Sequence, residues 1–443
     1  MTWVCGCIVV GSLLLLAHSL FSLYLMLYAW DQPQCLASAK APESFLPPQL
    51  SFSVLLPARS EERVIYRTIQ AIAAANYPRE LLEIIVICHA DDEATIREVQ
   101  RAIASLEGRS LPPVRLEAFA GQPINKPRAL NAGFRRAGNA VVAVFDAEDD
   151  INPDIFNVVN SLMVSENCRI VQGGVQLMNF ADHWFSIHNV LEYYFHYKSR
   201  LLCFARAGAT PLGGNTAFIR RELIEGIGGW DELCLTEDAD IGLRLSERAE
   251  PVRVIYDPRY VTREETPPTT ASLVRQRTRW NQGFLQILTK RHWRRLPRWG
   301  QRLLALYALS YPVVQAVFTL AWPLTVVGWI WLKLPVVVAM TSWLPMLVLA
   351  IQLVVTLVGA RLFLKEFGLK APLLLPIRLT LTFLPFHMLM GFSAVRALYR
   401  QIRRRCDWEK TAHVGAHRPS VSECEPAQPA TAEVGMTLDC AQE

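Results

Sequence analysis

The chain has 443 residues, ten cysteines and a formal net charge of +5. Hydrophobic residues make up 51% and charged residues 19%, with a mean hydropathy of +0.20, so more than one folding unit is expected and part of the chain should meet lipid. No dense Lys/Arg stripe with interleaved aromatics stands outside membrane-flanking segments, which argues against a nucleic-acid partner. No CxxC pair suggests a zinc site or a secreted disulfide framework, and a reducing compartment fits the scattered cysteines.

Val4 to Tyr28 is almost free of charge, and roughly 20 such residues cross a hydrocarbon core. A cleaved signal peptide is the competing reading, but no Lys or Arg precedes the run and the run is too long, so residues 1–30 are read as a transmembrane helix. Residues 31–50 are rich in Pro, Ala and Gln and read as a linker. A soluble block follows over 51–268. Ser51–Pro57 reads as a strand, Glu62–Ala75 as a helix, Glu83–Cys88 as a strand and Ile96–Leu106 as a helix. Val114–Ala118, Pro127–Ala137 and Ala140–Phe145 continue as strand, helix and strand. Such βαβ units predict an α/β, mostly parallel, Rossmann-like sheet with ligands at the carboxyl ends of its strands. Neither a GxGxxG nor a Walker loop is present.

Residues 269–302 read as an interfacial amphipathic region. Leu303–Leu332, Pro335–Ala360 and Pro372–Leu398 are apolar, so 303–398 is expected to hold three more crossings. Arg291, Arg294, Arg295, Arg298 and Arg302 place the junction before them on the cytoplasmic side. Three single crossings would then carry Arg400, Arg403, Arg404 and Arg405 outside. A re-entrant segment, or a helix split at Pro312 or Pro323, would repair that conflict. Residues 399–443 read as a basic juxtamembrane segment and a tail, disordered from Val414.

Three elements carry chemistry. Asp146 and Glu148 alternate at the exit of an apolar strand, a pattern that suits a hard divalent cation and a diphosphate, or a polar loop capping the next helix near Asp154. Thr236-Glu237-Asp238 opens a helix, where a carboxylate can serve as a base, Asp238 being the candidate, or simply as part of a capping box. Gln276-Arg277-Thr278-Arg279-Trp280 can hold a leaving diphosphate and stack a sugar ring, or lie at a lipid interface.

In chain order, Pro57-Ala58-Arg59-Ser60-Glu61-Glu62, Asp91-Asp92, Lys126 with Leu130-Asn131, and Asp146-Ala147-Glu148 are followed by Gly213-Gly214-Asn215-Thr216, Thr236-Glu237-Asp238 and Gln276-Arg-Thr-Arg-Trp280. Together they resemble a membrane-bound processive glycosyltransferase of family 2, the group of cellulose, hyaluronan and related β-glycan synthases. The resemblance spans most of Phe52 to Gln286. It implies a cytosolic GT-A domain with transmembrane helices on both sides, in the plasma (inner) membrane of a bacterium. It places Ala58, Glu61, Asp91, Asp92, Lys126 and Asp146 at the nucleotide, and Asp146 and Glu148 on Mg2+ or Mn2+. Asp238 becomes the base with Glu237 beside it, and Gly213, Gly214, Asn215, Gln276, Arg277, Arg279 and Trp280 line the acceptor or product site. The usual Asp-x-Asp appears here as Asp-x-Glu, and His89 stands where an acid is often found. Trp408-Glu409-Lys410-Thr411 resembles a short motif of some relatives that acts as a lid.

The expected reaction is an inverting, metal-dependent transfer of a hexose from a UDP-sugar to a growing β-linked polysaccharide, with UDP-glucose the first donor and UDP-N-acetylglucosamine the second. One rival is a single transfer to a membrane lipid or lipid carrier. Another is an inactive glycan channel or scaffold, against which the retained acids speak. Membrane lipids are expected partners in every case.

Overall fold

The computed structural model describes residues 2–331, 334–405, 407–411 and 413–418. Helix α1 (Thr2–Asp31) and the short α2 (Pro33–Ser38) lead into an extended stretch. Composition predicts a linker there, but its backbone is tied down: Leu46 N–H donates to Ser161 Oγ at 2.8 Å and Leu50 N–H to Asn160 Oδ1 at 3.1 Å.

The expected alternation follows, with β1 (Phe52–Ala58), α3 (Ile65–Ala73), β2 (Leu82–His89), α4 (Glu93–Leu106), β3 (Val114–Phe119), α5 (Lys126–Phe134) and β4 (Val141–Val144). Next come α6 (Ile155–Ser165), β5 (Ile170–Gly173), β6 (Val175–Leu177) and α7 (Ser186–Phe195), which passes through a π-helical turn, His196–Arg200, into α8 (Leu201–Ala207). The unit closes with β7 (Ala217–Arg220), α9 (Arg221–Ile227), α10 (Glu237–Glu247), β8 (Val252–Ile255), β9 (Thr262–Glu264) and α11 (Thr270–Lys290). Three long helices end the chain: α12 (Trp299–Trp331), α13 (Val336–Glu366) and α14 (Leu375–Ile402).

Seven strands form one sheet in the order β3-β2-β1-β4-β7-β5-β8, with β7 antiparallel to both neighbours and the other pairs parallel. Every residue of β2 and β4 is buried, as parallel strands covered on both faces require, which is why they read as unbroken apolar runs. The edge strand β3 instead carries the exposed Arg115 and the half-buried Glu117. Because β7 runs against β4, with Ala217 opposite Val144, the residues just before β7 share an edge with those just after β4. That reversal brings Gly213–Thr216 beside Asp146–Glu148.

Among the described residues α1, α12, α13 and α14 are long and apolar enough to cross a membrane. Helix α12 runs unbroken through Pro312 and Pro323, so neither proline splits it as the charge conflict had suggested. Leu332 and Lys333 lie outside the described residues. Helix α14 is bound to the α/β unit along its length. At its start Arg378 donates to the His183 carbonyl, and Thr382 Oγ1 lies 2.7 Å from His188 Nε2. In its middle Phe386 stacks on the His188 ring at 4.8 Å. Near its end Arg400 Nε donates to Gln282 Oε1 at 3.1 Å. The opposite face shows Ile377, Leu381, Leu384, Met388, Phe392 and Ile402, all exposed, at helical spacing.

Candidate active site

One cavity of about 410 Å³ opens at the carboxyl edge of the sheet. Asp146 and Glu148 reach it from the end of β4, Gly214 from the approach to β7, Asp238 from the first turn of α10, and Arg279 from α11. Lys126 Nζ, at the start of α5, joins two of these walls by donating to Asp146 and, at 2.6 Å, to the Gly214 carbonyl. A Cβ at Gly214 would lie 3.1 Å from Asp238 Oδ2 and 3.4 Å from Lys126 Nζ, so glycine lets the backbone come up against the acid. Asp238 Oδ1 accepts from Ala239 N–H at 2.8 Å, which fixes the carboxylate at the helix terminus.

The charge balance of this region is unusual. Burial pushes the Glu148 carboxyl up to about 7, and burial together with the charge of Asp238 pushes Glu237 up to about 8. Asp238, Asp149 and Glu264 are raised as well, chiefly by burial. Lys126 is raised because Asp146 and Glu237 outweigh the burial that opposes it. Acids crowded in this way hold protons unless a cation replaces them. Donor atoms of Asp146, Glu148 and Glu264 lie within 4.8 Å of one another, as do those of Glu61, Glu148 and His413. One carboxylate-only set and one of two carboxylates with an imidazole fit a hard divalent ion such as Mg2+ or Mn2+. Oε2 of Glu61 is buried with no hydrogen-bond partner among the described residues, which leaves it free to take such a ligand.

Ala58, Glu61, Glu237, Gly213, Asn215, Gln276, Arg277 and Trp280 also line the cavity. Asn215 is buried, its amide donating to Asp149 Oδ1 at 2.9 Å and to Glu264. Arg277 sits 4.6 Å over the Trp280 ring and reaches Glu192 at 2.5 Å. Asp91 and Asp92 are placed differently from the rest. Asp91 is half exposed and bound by Arg59 and His89, and the Arg59 hydrogen bond holds its carboxyl down at about 2. Asp92 caps α4 through Thr95 N–H and accepts from Ser60 N–H at 2.6 Å. Neither lines the cavity; His89 and Phe119 do so at that corner. The acidic triplet after β2 thus supplies a helix cap and a loop clamp.

Composition alone missed part of the wall. Residues 407–411 and 413–418 fold back across the cleft instead of leaving it. Trp408, Lys410, Thr411 and His413 line the cavity. His413 Nδ1 lies 2.9 Å from Glu61 Oε1 and Nε2 3.1 Å from Glu148 Oε1. Burial opposes the imidazolium, but Glu148 and Glu61 together lift His413 to about 9. Disorder was expected from Val414, yet the N–H groups of Val414, Gly415 and Ala416 donate to the buried Glu265 at 2.5, 3.1 and 2.6 Å. Arg418 donates to the Glu148 and Asp149 carbonyls at 2.9 Å. Residues 419–443 lie outside the described residues. Glu264, Glu265 and Tyr193 were not singled out either, since lone acids and rings in a sequence carry no spacing signal.

A mostly parallel sheet with one reversed strand, acids at the exit of β4 and a further acid opening α10 define a GT-A nucleotide-sugar fold. Residues 47–283 match the family described as Glycosyltransferase like family 2, and the chain belongs to that family of enzymes. It is 30% identical over 248 residues to the probable glycosyltransferase YdaM of Bacillus subtilis, covering 54% of this chain and 56% of that protein. It is 27% identical over 238 residues to a beta-monoglucosyldiacylglycerol synthase of Synechocystis, covering 53% and 47%. It is 24% identical over 271 residues to a poly-beta-1,6-N-acetyl-D-glucosamine synthase of Staphylococcus epidermidis, covering 60% and 61%. The match therefore spans about half the length of the first two relatives. The mannosyltransferase PcManGT from Pyrobaculum calidifontis, solved with GDP-Man and Mn2+, superposes with a TM-score of 0.55 at 20% identity, covering 90% of this chain and 99% of that one. That likeness speaks for the fold.

Proposed function

We propose that the protein transfers a hexose from a UDP-sugar to an acceptor hydroxyl at a membrane, with inversion at the anomeric carbon and dependence on Mg2+ or Mn2+. The observation that carries this reading is the meeting of Asp146, Glu148 and Asp238 in one cavity, bridged by Lys126 between Asp146 and the Gly214 carbonyl. In this reading Ala58 and Glu61 border the nucleotide, while Asp146 and Glu148 hold the metal with His413 as a further donor. The ion supplies charge neutralisation of the departing diphosphate. Lys126 and Arg279 add fixed positive charge beside it. Asp238 takes the proton of the acceptor hydroxyl while that oxygen attacks the anomeric carbon and the bond to UDP breaks. Gly214 leaves room for the acceptor, and Trp280 offers a ring face to a sugar. Trp408, stacked 5.6 Å from the Arg279 guanidinium, closes the cleft as a lid.

Glucose and N-acetylglucosamine are the donor sugars suggested by the relatives' names, in that order. For the acceptor, a lipid competes with a growing polysaccharide. The cavity favours the lipid, because its far end is lined by Leu25 of α1 and by Tyr307, Tyr311 and Gln315 of α12, side chains of candidate membrane helices. Bacterial relatives and the flanking arginines support a plasma membrane with the catalytic unit in the cytosol. We place α1, α12 and α13 across the bilayer and α14 along its cytosolic surface, with the exposed apolar stripe in lipid. Two helices then return the chain to its starting side, which keeps Arg400 and Arg403–Arg405 in the cytosol and resolves the charge conflict. Purified protein given radiolabelled UDP-glucose or UDP-N-acetylglucosamine with Mn2+ should release UDP and form a β-linked product, organic-soluble for a lipid or retained as polymer. Absence of turnover with any UDP-sugar would overturn the reading.

A further inference from the structure

The membrane end of the cavity holds a cation without a counterion. Among the described residues Arg200 and Arg277 line this end and Lys198 lies beside Arg200 in the π-helical turn; two of these three are matched. Lys198 is bound to Glu366 and to Tyr194 Oη at 2.7 Å, and Arg277 is bound to Glu192 at 2.5 Å. Arg200, which ends the π-helical turn, has no ion pair or side-chain hydrogen bond among the described residues, and its Nε is buried without a partner. Its backbone is fixed all the same. Ser199 next to it donates to the Leu25 carbonyl at 2.8 Å and accepts from Ala29 N–H at 3.0 Å, which pins the turn to α1. π-Helical turns are rare and recur at functional sites.

The surroundings of Arg200 are mostly rings and amides, with one acid, Glu192. It lines the cavity with His196, Tyr307, Tyr311 and Gln315. Burial holds His196 down at about 4, with the charge of Arg200 adding to the effect, so that imidazole is neutral and can accept or donate a hydrogen bond. Glu192, the acid that also lines this end, is committed to Arg277. An arginine kept unpaired beside a bilayer is costly unless a ligand's anion completes it, and its planar fork matches phosphate oxygens in pairs.

We infer that Arg200 forms an anion subsite for the acceptor, and that the acceptor is a membrane lipid whose headgroup carries both a phosphate and a free hydroxyl. This rests on the transferase reading above and names its acceptor class. The lipid enters between α1 and α12 with its chains in the bilayer and its phosphate at Arg200, and Tyr311 and Gln315 take the remaining headgroup oxygens. The hydroxyl extends toward Asp238. The phosphate is a spectator: the hydroxyl oxygen bonds to the anomeric carbon, its proton goes to Asp238, and the bonding pair of the broken linkage leaves with UDP.

The test uses the full-length protein in detergent micelles with the UDP-sugar it turns over fastest. Phosphatidylglycerol, diacylglycerol and free glycerol 3-phosphate are offered as acceptors to the wild type, Arg200→Gln and Arg200→Lys. Phosphatidylglycerol should be glycosylated at least about 10-fold faster than diacylglycerol, as one charged hydrogen-bonded pair would give. Arg200→Gln should erase that preference by raising the KM for phosphatidylglycerol, Arg200→Lys should restore part of it, and UDP-sugar hydrolysis in the absence of acceptor should stay unchanged in both. Retained hydrolysis also shows that the variants are folded. Equal use of diacylglycerol and phosphatidylglycerol by the wild type, or a preference that survives in Arg200→Gln, would overturn the anion subsite while leaving the transferase standing. Glycerol 3-phosphate performing as well as phosphatidylglycerol would overturn the lipid assignment. No UDP-sugar turnover under any condition would remove the transferase reading and this one with it.

Discussion

The two ends of the cavity are built on opposite electrostatic plans. At the sheet edge, acids at the exit of β4, on β9 and in α10 crowd together with Lys126, Arg279 and His413 among them, and burial raises the Glu148 and Glu237 carboxyls. At the membrane end one arginine stands among neutral rings. In the proposed reading the first arrangement would take a cation and the second an anion. A donor that brings its own metal and an acceptor that brings its own phosphate would complete both ends, so each half is unfinished without its substrate.

The largest way to break this contrast is at the base. Asp238→Asn should lower turnover by about 10²–10⁴-fold while UDP affinity stays within about 3-fold, measured by single-turnover assay and calorimetry. Undiminished turnover would remove Asp238 from the chemistry. The segment carrying His413 across the cleft gives a sharper and smaller effect. His413→Ala should raise the half-saturating Mn2+ concentration by about 10-fold or more, as loss of a metal-site donor does. An unmoved metal requirement would confine His413 to bracing Glu61 and Glu148.

The smallest effect concerns the seat of α14. Burial holds His188 down at about 3, with His387 and Arg378 adding positive charge nearby, whereas the unfolded imidazole titrates near 6.5. A depressed folded value means that the contribution is complete above 6.5 and is lost as pH falls through that range toward 3. Between about pH 7.5 and about pH 5 the melting temperature in detergent should therefore drop more for the wild type than for His188→Gln, which cannot titrate. Equal drops would show that α14 is seated without regard to this ring.

What the sequence made legible follows from what repeats locally. Strands β1, β2 and β4 announce themselves as apolar runs because both faces are covered, and the acids at their exits follow from parallel topology. The long apolar helices are equally plain by length. Two things were hidden. Asp91 and Asp92 look like ligands in one dimension, but a helix starts at Glu93, and Asp92 caps it while Asp91 pairs with Arg59. The order of residues 413–418 was hidden because it depends on Glu265, about 150 residues away in the chain, whose carboxylate gathers the amides of Val414, Gly415 and Ala416. The unmatched state of Arg200 was beyond reach for the same reason, since only packing shows which of several basic residues has found an acid.

Because His413 joins Glu61 and Glu148 only after α12, α13 and α14 have been laid down, a ribosome-bound chain has no finished pocket until those three helices have been made. In the proposed reading, catalytic competence is thereby tied to the placement of those helices. A truncated or misinserted product would lack that wall, so it would be a poor consumer of the cell's activated sugar.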